Sequence, residues 1–114
     1  MNKEKLQISA GCAARSFINA IRNFNDNLIH LRKVEAEMVE VEKFRAAAES
    51  RMKEIGEHAY KIFCVGIESD KKKLESARSH ACLAAEMLLR EYSYIQMYQI
   101  PADPELIAAA QSLL

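Results

Sequence analysis

Tryptophan is absent, and only three glycines and two prolines occur in 114 residues. So small a turn vocabulary excludes a sheet-rich fold, whose chain reversals draw on these residue types. It also leaves no Gly-rich or strained loop to hold an oxyanion hole. No apolar run approaches the length of a bilayer-spanning helix. An excess of either charge is missing too: sixteen basic residues balance sixteen acidic ones. A dedicated nucleic-acid binder usually carries a clear basic surplus, so the balance weighs against that class.

The motifs of metal and acid–base chemistry are equally scarce. The metal candidates are His58, Cys64, His80 and Cys82. On a helix, His58 and Cys64 point about 120° apart, and His80 and Cys82 about 200° apart. No Cys-x-x-Cys, His-x-x-x-His or Glu-x-x-His occurs. Nothing pairs a cysteine with a particular histidine (His30 included) as nucleophile and base. The expectation is no enzyme, no metal and no cofactor. Three cysteines at irregular spacing (Cys12, Cys64, Cys82) are not a disulfide framework and read as thiols in a reducing compartment. Ser9-Ala10-Gly11-Cys12 lacks the branched apolar residue of a lipoprotein box, and Lys5–Ile8 is too short and polar for a signal core. A cytoplasmic location is therefore expected.

What is abundant is the alphabet of helices: Ala, Glu, Lys, Leu, Arg and Ile, with half of all residues apolar. Phe17, Ile21, Phe24, Leu28 and Leu31 alternate at four and three residues, which places them on one stripe. Asn23 to Asn27 then reads as a break, because Asn and Asp compete for the backbone inside helices. The alternative is a continuous helix with a stammer, since Leu31 and Val34 both claim core positions. The strongest pattern follows. Val34, Met38, Val41, Ala48, Met52, Ile55, Ala59 and Ile62 form a heptad seam that only Arg45 interrupts. A polar residue at such a position can set register and partner number. Arg45, Glu49, Lys53, Glu57 and Lys61 alternate in sign at i, i+4 and mark a solvated face.

Gly66 with Ser69 or Asp70 predicts the hairpin turn, because the apolar stripe resumes out of frame as Leu74, Ala77, Ala81, Ala84, Leu88, Ile95 and Tyr98. Three lysines, 71 to 73, then fall in a first turn, where they oppose the helix dipole. Asp103, Pro104 and Glu105 are a clear helix start. The expected fold is all-α, a single helical domain over 1–114 with helices near 4–24, 27–67, 70–99 and 104–113. Its centre is a long, coiled-coil-like antiparallel hairpin, with flanking N-terminal and short C-terminal helices, completed as a bundle by dimerisation through Val34, Met38, Val41, Arg45, Met52, Ile55 and Ile62.

One segment exceeds what a surface helix needs. From Leu88 to Ile100 apolar side chains surround the helix on every side, among them Tyr92, Tyr94, Met97 and Tyr98. Tyr and Met are residues that interfaces favour. Either the C-terminal helix covers this belt or a partner protein does. In size and composition the chain is similar to the small helical accessory proteins of bacteria and phages, such as secretion chaperones and adaptors; no diagnostic motif carries the likeness. The functional expectation is a protein-interaction module: a chaperone, adaptor or inhibitor that acts as a homodimer. The alternative is a nucleic-acid-associated regulator using the basic segment with Arg15, Arg22, Arg32 and Lys33.

Overall fold

The computed structural model describes residues 2–114. Three helices make up the described chain: α1 (Lys3–Ile55), α2 (Glu57–Gln96) and α3 (Pro104–Ser112). The class is all-α, and α1 and α2 form the long antiparallel hairpin. The separate N-terminal helix expected from sequence is the first half of α1.

The expected break at Asn23–Asn27 is not there, because the side chains that threaten the helix serve it instead. The Asn27 side-chain amide donates to the Asn23 carbonyl at 2.8 Å and to the Asn23 Oδ1 at 3.1 Å, one turn back. Phe24, between them, is fully buried and anchors the segment. Leu31 and Val34 are both buried three residues apart, so the phase shift is absorbed as a stammer within one helix.

The turn also differs from expectation: it is at Gly56, ten residues before Gly66. Gly56 has φ 145°, a conformation open to glycine and strained for other residues. Gly66 is an ordinary position inside α2. What disguised this is Asp70. The inner face of α2 runs Phe63, Ile67, Asp70, Leu74, Ala77, and Asp70 is a half-buried polar residue within it. The three lysines therefore lie in mid-helix, where the dipole objection disappears. Lys71 pairs with Glu68 at 3.5 Å, and Lys73 reaches across the hairpin to Glu37 at 3.4 Å.

The chain divides into two compact units: residues up to Leu28 with Ser79–Leu114, and Ile29–Arg78. The first has a closed core. Phe17, Ala20 and Phe24 of α1 meet Ala84, Ala85, Leu88 and Ile95 of α2, and Ile107 and Ala110 of α3 lie against them. Four alanines in this core let helix backbones approach closely. The second unit is thinner; its buried residues are Leu31, Val34, Ile67 and Ala77. An edge contact between Phe44 and Phe63, centroids 6.1 Å apart, adds to it.

The end of α2 and the start of α3 follow local rules. The Gln99 N–H donates to the Gln96 carbonyl at 3.0 Å and the Ile100 N–H to the Ile95 carbonyl at 3.2 Å, the two bonds of a Schellman cap. Its left-handed position is Gln99, at φ 58°, where a side chain costs about 1–2 kcal/mol. Gln99→Gly should therefore raise unfolding stability by about 1 kcal/mol in urea titrations. A lower stability would mean that the Gln99 side chain makes a compensating contact. Asp103 caps α3 as expected, accepting from the Glu105 N–H at 3.0 Å with Pro104 in the first turn.

Candidate interaction surface

The C-terminal half of α2 has two apolar faces. One carries Ala81, Ala84, Leu88 and Ile95, all buried. The other carries Leu83, Met87 and Tyr94, which stand 57%, 52% and 51% exposed. Positions 83, 87, 90 and 94 share an arc of about 60° at 100° per residue, so Arg90 is the one charge within this stripe. Met97 extends it. Its N–H donates to the Tyr94 carbonyl at 3.2 Å in the tightened last turn, and its side chain is 75% exposed. An apolar stripe of this spacing is what a second helix packs against. Beside its end, Met97, Tyr98 and Gln99 face Leu6, Gln7 and Ala10 across an open groove of about 370 Å³.

The four belt residues expected from sequence to bind a partner thus part company. Tyr94 and Met97 belong to the stripe. Tyr92 packs inward, its ring 6.4 Å from that of Phe17. Tyr98 is half-buried at the groove. The rest of the belt is covered from within the chain: Leu88 and Ile95 are core, and Leu89, Tyr92 and Ile100 pack against it. Leu83 and Met87 were outside the expected belt. Their signal was legible, since 83, 87 and 94 recur at four and seven residues, but the stronger Leu74–Ile95 stripe opposite concealed it.

The expected dimer seam is divided by the turn. Val34 is buried, and Met38, Val41, Arg45 and Met52 are half-buried. Ile55 lies at the end of α1 and Ile62 on α2, both exposed. Arg45 is already partnered: its Nε is 2.9 Å from Glu42 and its guanidinium 3.2 Å from Glu49. The bond to Glu42 raises the Arg45 pKa. Tyr60 donates to the other oxygen of Glu49 at 3.1 Å, and Lys53 stacks on the Tyr60 ring at 5.3 Å. The bond to Glu49, with Cys64 next to it, pushes the Tyr60 hydroxyl up to about 12. A phenol bound more tightly to its proton when folded stabilises the fold below pH of about 10, and this is lost as pH rises through about 12. Glu42, Arg45, Glu49, Tyr60 and Cys64, with Phe63, Ile67 and Lys71, line a cleft of about 360 Å³.

Of the basic segment, Arg15, Arg22, Arg32 and Lys33 are all exposed on α1. No group of three or more His, Cys, Asp or Glu is placed to hold a metal among the described residues. The three cysteines are free, and the Cys82 thiol donates to the Leu113 carbonyl at 3.5 Å, linking α2 to the end of α3. No described helix is long and apolar enough to cross a membrane. Fold and surface together define an all-α hairpin with a solvent-facing apolar stripe. No protein-family model, curated protein or solved structure matches the chain.

Proposed function

We propose that this protein is a non-enzymatic interaction module, a small chaperone, adaptor or inhibitor, that docks an apolar helix of another protein on the Leu83–Met87–Tyr94–Met97 stripe and itself self-associates as a homodimer. The observation that carries this reading is the stripe: four large apolar side chains, each at least half exposed, three on one face of α2 and Met97 just past its end. Monomeric proteins scatter exposed apolar residues singly; a row of four along one line, interrupted only by Arg90, supports an interaction site. Met and Tyr suit the task because they give large contact area with adaptable packing.

The test uses the full chain as bait in its native host, with bound proteins read by mass spectrometry. Tyr94→Ala with Met97→Ala should lower capture of the partner at least tenfold. Melting should stay within about 0.5 kcal/mol of the parent, as for surface substitutions generally. Unchanged capture by the double variant would refute the stripe as the docking site. Binding of nucleic acid that falls steeply with salt would instead favour the basic segment of α1.

A further inference from the structure

The stripe on α2 has one charge inside it and one on each side. Arg90 is exposed and stands between Met87 and Tyr94 along the helix, within the arc that the apolar side chains span. Glu86 and Glu91 lie about 40° beyond that arc, on opposite sides, at 100° per residue. Across the face the order of charge is minus, plus, minus, with the plus among apolar side chains.

These charges are not neutralised by one another. Glu86 precedes Arg90 by four residues, the spacing and order in which helices favour an ion pair. Glu57 and Lys61 have the same order and pair at 3.2 Å. Among the described residues, no ion pair includes Glu86, Arg90 or Glu91.

A helix laid along the stripe must cover Arg90. Covering a cation removes its water, and the loss is recovered only if a counter-charge comes with the cover. The group that suits a guanidinium is a carboxylate, which accepts two parallel N–H donors at once. Glu86 and Glu91 favour a cation at each edge of the same contact. From Leu83 to Met97 the stripe measures about 21 Å at 1.5 Å per residue, about four turns of a partner helix. Met97 also belongs to the groove lined by Leu6, Gln7 and Ala10, so the apolar contact continues from α2 onto α1.

A second copy of this chain lacks the complement. Antiparallel two-fold pairing of stripe on stripe sets Leu83 on Met97 and Met87 on Tyr94, and it brings Arg90 against Arg90 at the axis. Parallel pairing in register does the same. Like charges opposed in a covered contact are destabilising.

We infer that the occupant of the stripe is an amphipathic helix of a different protein, with a carboxylate in the middle of its apolar face, opposite Arg90, and lysine or arginine along both edges of that face. This rests on the docking site proposed above and adds the chemistry of its partner. Arg90 gives the site its selectivity: it rejects a helix whose apolar face is uninterrupted or carries a cation there.

The test titrates the full chain with two synthetic helical peptides of about 18 residues, long enough to span the stripe. Each has a row of leucines edged by lysines. They differ only at the centre of the row, where one carries glutamate and the other lysine. By calorimetry at physiological salt, the parent should bind the glutamate peptide at least about tenfold more tightly. Arg90→Glu should invert the preference, and Arg90→Gln should erase it. Both are surface substitutions and should melt like the parent. Tyr94→Ala with Met97→Ala should weaken both peptides. Equal affinity of the parent for the two peptides, both weakened by that double variant, would overturn the carboxylate and leave the stripe standing; Arg90 would then be neutralised within its own chain. Binding that the double variant leaves unchanged would overturn the stripe and the inference together, and so would no binding of either peptide at millimolar concentration. A parent dimer that the double variant dissociates would put a second copy on the stripe and overturn the inference as well.

Discussion

Phe24→Ala should cost about 3–5 kcal/mol of unfolding stability, the range for deleting a buried aromatic ring. Phe24 is fully buried, and so are Leu88 and Ile95 of the same core. Its neighbours there include four alanines. Alanines have no side chain that can swing into the space left by the ring, so little collapse relieves the cavity. Urea unfolding followed by circular dichroism at 222 nm measures the loss. A change below 1 kcal/mol would show that the helices around Phe24 repack freely. The same substitution tests the helix through Asn23–Asn27, since Phe24 is what holds that segment against the core.

Ile107→Ala should cost about 2–5 kcal/mol, and deleting Pro104–Leu114 at least as much. Ile107 and Ala110 are the buried residues of α3, and Leu106, Ala109 and Leu113 pack against the same core. Without α3 that core loses its cover. Tyr94→Ala with Met97→Ala, by contrast, should leave melting unchanged, because α3 does not bury those side chains. Thermal melts of the three variants side by side check the division. If the Tyr94/Met97 double variant lost as much stability as Ile107→Ala, the stripe would be core and no longer a docking surface.

Several features were legible in the sequence because they depend on neighbours along the chain. Helix class follows from composition and from spacings of three and four. The start of α3 follows from Asp103 and Pro104, whose capping geometry is complete within three residues. The apolar inner face of α2 from Leu74 to Ile95 was legible as well. The candidate stripe was half legible: Tyr94 and Met97 stood out, whereas Leu83 and Met87 did not.

The rest depended on which partner each residue meets across the hairpin. The apolar pattern runs unbroken through Gly56 and changes frame beyond Gly66, so the local signal favours the wrong glycine. Gly56 turns because that position for the reversal brings Phe63 and Ile67 of α2 onto the inner face and lets Tyr60 reach Glu49. Asp70 looked like a boundary and is a polar residue inside a packed face. The Asn-rich segment looked like a break and is continuous, because burial of Phe24 outweighs a small loss of helix propensity. Tyr92 and Tyr94 are two residues apart and carry the same side chain. One packs against Phe17 and the other faces solvent, because a helix turns by about 200° between them and the first unit's core lies on one side only.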